Sequence, residues 1–295
     1  MNQSAKKNQV RVYTCDTWEH FVSQVTKVRR MPPDDPNDKM YHFGSGVIFR
    51  GHSDTEWQLS STIERNMFDK VVEAVDKNGK KIPFYSRRTS MLAGEYNDWC
   101  NVLITKFREN TKGMPGIDSS SNDIDLWSIG RHYGLLSPYL DWTASPFIAA
   151  FFAFEKIYKT FEHLHSHYKT IPETKVINVW GLQFWEGIEN DDDFKIIPTS
   201  HTHTSRARAQ QGWFTKLTSR DFVDIQSYFE SIGKAYYLER YDINTETAMQ
   251  ALHNLSLMDI NYLTLFPDAF GAALHTNINS GQFRDSLATI EVSNN

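Results

Sequence analysis

The chain has 295 residues and a formal net charge of −5, with 40% hydrophobic, 14% aromatic and 23% charged residues. A chain of this length buries a sizeable core, as one large domain or two small ones, and its composition excludes disordered and collagen-like classes. The negative balance also excludes a global field that attracts nucleic acid or anionic lipid, so any nucleic-acid contact requires a local basic patch.

Cys15 and Cys100 are the only cysteines, far apart and without CxxC spacing. That argues against a disulfide framework and for a reducing compartment. The opening MNQSAKKNQVRVY has no apolar stretch of the signal-peptide kind. The longest apolar run, PFIAAFFAF, covers nine residues, well short of the ~20 that a membrane span needs. The expected location is the cytoplasm. Eight Trp, thirteen Tyr and nineteen Phe predict a dense core and stacking surfaces for a planar ligand.

In chain order, residues 1–15 read as an N-terminal arm and 16–295 as one folded unit. Asp16 and Glu19 form a capping box for a helix in which Trp18, Phe21, Val22 and Val25 recur at helical spacing. MPPDDPNDK (31–39) is a loop. Gly44-Ser45-Gly46 leads into the strand VIFRG (47–51), and STIERN opens a helix. VDKNGKKIPF (75–84) carries a turn with Asn78-Gly79 at its tip. Met91 to Glu109 reads as a long helix with Tyr96, Trp99, Leu103 and Phe107 on one face, and TKGMPGIDSSSND as a loop. A polar turn then precedes a helix over 146–158. VINVWGLQF (176–184) is a strand, followed by a charged loop; KIIPTSHTHTSRARAQQGWFTKL reads as strand, loop, strand. AYYLERYDI (235–243) is another strand, Asn244 opens a helix over 245–255, and Asp259 makes a turn before the closing helix LFPDAFGAAL. Strands and helices do not alternate strictly. The pattern predicts an α+β fold, a single mixed sheet flanked by helices, rather than a doubly wound parallel sheet.

The stretch RHYGLLSPYLDWTASPFIAAFFA (131–153) carries the chemistry. His132, Tyr133, Asp141, Trp142, Thr143 and Ser145 crowd the mouth of an apolar helix, where polar groups are costly unless they bind each other or a ligand. Ser145-Pro146 supplies a cap and a first-turn proline. The helix N-terminus favours an anion, with phosphate the usual candidate. A plainer assignment has Thr143 and Ser145 only capping and Asp141 only holding the turn. His132 offers an imidazole near neutral pKa, and Tyr133 a ring for stacking. Upstream, Arg50 ends a strand beside Gly51. Its planar fork suits two phosphate or carboxylate oxygens, and the glycine admits a ligand close to the backbone. The plainer alternative pairs Arg50 with Glu56 or Asp54 at the surface.

The ordered set VIFRG, GHSDTEWQLSSTIER, RHYGLLSPYLDWTASPFIAAFFA, RARAQQGWFT and LFPDAFGAAL resembles the FRG domain, a bacterial family named for its tripeptide, over about residues 40–275. A weaker resemblance, in elements of three residues each, is to the ADP-ribosyltransferase fold with its split sheet. In those enzymes an aromatic-Arg-Gly strand holds the diphosphate side of NAD, and a Ser/Thr-x-Ser strand leads into a helix and helps hold the nicotinamide half. Phe49-Arg50-Gly51 and Thr143-Ala144-Ser145 match these elements in order. The resemblance implies an NAD-consuming ADP-ribosyltransferase with NAD as substrate, in the setting of a toxin or antiphage effector, with a masking antitoxin protein as a partner. It places Arg50 and Gly51 on the diphosphate, Tyr133 stacked on nicotinamide, and Thr143 and Ser145 on the ribose.

The glutamate that many such transferases carry on a later strand is missing. The corresponding stretch, Arg206 to Thr215, offers Gln211, which hydrogen-bonds a hydroxyl but brings no charge. His132, Asp141 and Gln211 are therefore the candidate catalytic residues, with Glu239 and Glu291 less attractive. Arg206, Arg208 and Lys216 around Trp213 form the candidate nucleic-acid surface, with Arg87-Arg88 as a further rim, which leans the acceptor toward RNA; a solvated basic strand face with a buried Trp213 is an equal reading. His163 with His167 and His201 with His203 match no metal motif, so no metal is expected. Two other functions stay open: a non-catalytic nucleotide- or partner-binding module, and a metal-free ribonuclease using His132 and Asp141.

Overall fold

The computed structural model describes residues 8–27, 46–65, 71–75, 78–79, 81–85, 93–163, 175–184, 187–188, 191–199, 205–218, 221–222 and 224–277. Nine strands fall in two sheets among these residues. The main sheet has seven strands in the order β1-β9-β6-β2-β5-β8-β7: β1 (Arg11–Cys15), β9 (Leu238–Asn244), β6 (Val176–Gln183), β2 (Val47–His52), β5 (Tyr139–Thr143), β8 (Gly212–Leu217) and β7 (Phe194–Pro198). β1 runs parallel to β9, and every other neighbouring pair is antiparallel. With its flanking helices this is the expected α+β mixed sheet. A separate hairpin joins β3 (Val71–Val75) to β4 (Lys81–Tyr85), with Gly79 at φ 78° in the turn at the expected place.

The helices are α1 (Trp18–Val25), α2 (Ala93–Asn110), α3 (Asp123–His132), α4 (Pro146–His163), α5 (Ser205–Ala209), α6 (Ile225–Ser231), α7 (Ala248–Leu257) and α8 (Tyr262–Leu265), with residues 269–277 also helical. None among the described residues is long and apolar enough to cross a membrane.

α4 positions everything else. Ser145 Oγ accepts from Ile148 N at 3.3 Å, Pro146 takes the first helical position, and Ile148, Ala149, Ala150, Phe151, Ala153 and Phe154 are buried. This apolar face lies on β2 and β6, in one core with Phe49, Val179, Tyr241 and the buried side of α7. A second core covers the opposite face, with Ile48, Trp142, Trp180 and Leu182 against Phe229 of α6. A third lies between α2, α3 and the β5–β8 pair, through Tyr96, Leu126, Trp127, Tyr139 and Phe214. Tyr96, Trp99, Leu103 and Phe107 all reach it, as their helical spacing predicts.

The structure corrects several sequence expectations. Residues 11–15, placed in the arm, form edge strand β1, with Tyr13 stacked on Tyr241 at 5.1 Å. Its partner lies more than two hundred residues downstream, so no local pattern shows it. Thr17, not Asp16, caps α1 by accepting from His20 N at 3.1 Å. α3, capped by Asn122, replaces the end of the expected loop and carries Arg131 and His132 in its last turn. Residues 139–143 are a full strand rather than a turn. Ser205–Ala209, expected within a strand-loop-strand run, is helix α5. The loop at 31–39, Arg87-Arg88, the side chains of His163, His167, His201 and His203, and Glu291 lie outside what is described.

A cationic cleft where the central sheet opens

β2 pairs with β6 along its whole length, but it meets β5 only where Phe49 faces Thr143. Beyond that point the two strands diverge. Carbonyls of alternate residues on a strand face the same side, so the divergence leaves those of Tyr139 and Asp141 without β2 donors, a state that is costly at buried Tyr139. Two arginines take them. Arg50 Nη1 donates to Asp141 O at 2.8 Å, and Arg131 Nη1 donates to Tyr139 O at 3.1 Å. Arg131 also pairs with the Asp141 carboxylate and lies over the Phe214 ring at 4.8 Å. Arg50 Nε donates to His52 Nε2 at 2.9 Å, which makes His52 Nε2 an acceptor and leaves the ring proton on the buried Nδ1.

Strand alternation explains the tripeptide. Phe49 and Gly51 share the face that meets α4, and Arg50 starts from the other face, the one it shares with His52, to which its Nε donates. A Cβ at position 51 would lie 2.0 Å from Ala149 O and 2.6 Å from Ala153 N. The glycine is thus required by backbone-to-backbone contact between strand and helix, and Ala149 and Ala153 are the helix side of that contact.

The opening forms a cavity of about 330 Å³, at the small end of ligand pockets. Arg50 and Gly51 form one wall with Trp57, which is 46% exposed. Arg131 and His132 of α3 and Asp141 to Thr143 of β5 form the second. Ala149, Phe152 and Glu155 of α4 line the floor, and Gln210, Trp213 and Phe266 close the far side. Burial pulls Arg50 and Arg131 down to about 9, with further lowering from Arg65 on both and from Arg50 on Arg131. They remain cations at neutral pH. Arg65, itself lowered by burial, has its Nη1 buried without a hydrogen-bond partner. Two guanidiniums, Arg50 and Arg131, thus meet at Asp141, and the third, Arg65, lies close enough to lower both. Burial, then Arg206 and Arg131, hold His132 down to about 4, and burial with Arg50 and Arg65 holds His52 well below the ordinary imidazole value. Both rings are neutral at pH 7. The family model of the FRG domain matches residues 45–161.

Residues 45–161 are an FRG domain. That segment holds β2, the β3–β4 hairpin, β5 and α2 to α4 up to residue 161, and with them both sides of the sheet opening; the wider expected extent, to about residue 275, goes beyond the match. No curated protein and no solved structure matches the chain.

Of the predicted site residues, the FRG domain brings Arg50, Gly51, His132, Asp141 and Thr143 into one cavity, and Trp213 of β8 joins them. Arg50 contacts neither Glu56 nor Asp54 in any described hydrogen bond or ion pair. Others fall elsewhere. Gln211 is exposed at φ 49°, and its carbonyl accepts from Ala144 N at 3.0 Å; Gln210 lines the cavity in its place. Tyr133, the C-cap of α3, is 77% exposed and outside the lining, where Trp57 supplies a ring instead. Ser145 is spent on its cap, and Thr143 Oγ1 accepts from Ser145 N at 3.1 Å. The expected basic stripe is dispersed. Arg206 bonds Asp268 at 2.5 Å and lies over Phe266 and Phe270, Lys216 turns to Asn97 at 3.2 Å, and Arg208 is exposed. Glu239 lies outside the cavity lining, bonded to Arg11, Gln183 and Tyr241. Among the described residues no group of three or more His, Cys, Asp or Glu is gathered to hold a metal.

Sequence reasoning missed Arg131, His52, Trp57 and Glu155. Arg131 heads the quoted stretch, but its role as cap of an open strand edge depends on β2 and β5 diverging. Glu155 was hidden in an apolar helix, although it stands three residues, just under one turn, after Phe152, which lines the same cavity.

Proposed function

We propose that this protein is an NAD-dependent ADP-ribosyltransferase acting on a macromolecule. The observation that carries the reading is the meeting of Arg50 and Thr143, far apart in the chain, in one cationic cleft at the opening of the central sheet. The guanidiniums of Arg50 and Arg131, with Arg65 nearby, attract a multiply charged anion at their end of the cleft, and a diphosphate matches both their charge and their fork geometry. Trp57 and Trp213 offer rings against which a planar base stacks. Thr143 stands where the two strands still pair, placed to orient a ribose. In the reaction, the bond from the ribose C1′ to the nicotinamide nitrogen breaks, and its electron pair leaves with nicotinamide. An acceptor oxygen or nitrogen bonds to C1′ and gives up its proton. His132, a neutral imidazole in the cleft lining, is assigned to receive it, as a weak base at its lowered value of about 4.

The ribonuclease reading is less well supported, because His132 held neutral supplies no protonated acid and Asp141 is engaged by Arg131. The leaning toward RNA as acceptor loses its basic stripe, and RNA remains one arm of the test. Purified protein incubated with labelled NAD and, separately, with cell RNA, DNA and protein should release nicotinamide and label one of the three. Arg50→Ala should abolish both. A wild-type protein that binds NAD without turnover fits the non-catalytic module instead, and one that neither binds nor cleaves NAD rejects the proposal.

A further inference from the structure

The cleft has two carboxylates in its lining, Asp141 and Glu155. Asp141 is engaged by the Arg131 guanidinium, which offsets its charge. Glu155 stands on α4 six residues after Ala149, the residue packed against Gly51. At about 1.5 Å per residue this places it roughly 9 Å along the helix from the Arg50 wall. Its Oε1 accepts from the hydroxyl of Tyr262 at 3.1 Å, and Tyr262 is itself fully buried, in edge contact with Phe151 at 5.1 Å. The cavity thus has cations at one end and a carboxylate held by a rigid phenol at the other. A ligand with phosphate at one end and a positively charged ring or developing cation at the other fits that polarity, and the spacing suits a nucleoside monophosphate unit.

We infer that Glu155 is the catalytic carboxylate of this site, and that Tyr262, from beyond the FRG domain, is its positioning residue. The inference rests on the ADP-ribosyltransferase reading. As the C1′–N bond lengthens, positive charge grows on the ribose ring, and a fixed anion facing it lowers the barrier most because it stabilises the transition state more than the bound substrate. Glu155 forms no covalent bond. It faces the oxocarbenium-like carbon while the electron pair departs with nicotinamide, and the acceptor closes on C1′. This assigns to α4 the charge that Gln211 lacks.

The test measures NAD affinity by calorimetry and nicotinamide release side by side for wild type, Glu155→Gln and Tyr262→Phe. The glutamine is isosteric and still accepts from Tyr262, so the fold and NAD affinity should hold, with Kd within about 3-fold. The rate of nicotinamide release should fall on the order of 100-fold to 1,000-fold. Tyr262→Phe should lower that rate about 10-fold at nearly unchanged Kd, since the carboxylate is retained but less firmly held. If Glu155→Gln releases nicotinamide within 3-fold of wild type, Glu155 is not the catalytic carboxylate, whereas the transferase reading stands. If both variants lose affinity in proportion to rate, the two residues serve binding alone and the inference is overturned. Wild-type protein without nicotinamide release overturns both.

Discussion

Gly51→Ala is the most direct trial of how β2 is seated. The added methyl would lie 2.0 Å from Ala149 O, whereas ordinary contact begins at 3.4 Å, so strand and helix must separate by about 1.4 Å at that point. The second obstacle, Ala153 N at 2.6 Å, is also helix backbone. No side-chain rotation relieves either. Overpacking a core typically costs ~1–3 kcal/mol, and a clash against backbone belongs at or above the top of that range. Taking ~3 kcal/mol, and ~2–4 °C per kcal/mol for a large domain, the melting temperature should drop by about 6–12 °C. Gly46→Ala is the control, because nothing lies within 4 Å of a Cβ there. It should melt within about 2 °C of wild type. Thermal melts of the three proteins in one buffer decide the matter. A Gly51→Ala protein that melts with the control refutes the claim that the tripeptide's glycine is fixed by helix contact.

Arg50→Lys keeps the charge but cannot hold both His52 Nε2 and Asp141 O, so it should weaken NAD binding by ~1–3 kcal/mol, or roughly 5-fold to 150-fold in a titration; an unchanged Kd would reduce Arg50 to a mere charge. Trp57→Ala should weaken NAD binding by a similar ~1–3 kcal/mol through lost stacking. Because Trp57 is half-exposed, the melting temperature should change little, and a large drop in it with full binding would make the ring a core residue. His52, held well below the ordinary value of 6.5, binds fewer protons folded than unfolded below that pH, and His132 does so between 6.5 and about 4. Stability is therefore lost as pH falls through that window, and the urea midpoint should be lower at pH 5 than at pH 7. His52→Gln, which still accepts from Arg50, should flatten that dependence; an identical slope in the variant would exclude His52 from it.

How far the sequence speaks depends on the range of the interaction that decides each element. α4 was legible because its signals are local: a serine cap, a first-turn proline and a run of apolar residues. The same holds for β2, β6 and the Asn78-Gly79 hairpin. β1 was not, since its partner β9 lies at the other end of the chain. α3 was missed because Asp, Asn and Ser favour loops and helix termini alike, and α5 because its single turn is too short to show a periodicity, so tertiary packing decides both. Within the site, Arg50, Asp141 and Thr143 were found from their motifs. Tyr133 and Gln211 were chosen for chemistry alone, and the turn geometry after α3 and α5 carries both to the surface. Glu155 and Trp57 enter the cavity only through the way α4 and β2 face one another, which no spacing rule encodes.

The strand order has a consequence for how the protein comes into being on the ribosome. β2 and β5, the two lips of the opening, are translated early, but the strands that flank them, β6 and β8, emerge only after the whole of α4, and β9 emerges last of all. Until then the lips have no sheet on their outer edges to hold them apart. An unfinished chain therefore has no formed pocket until β6 and β8 have joined the two lips and Phe266, beyond β9, has closed the far side.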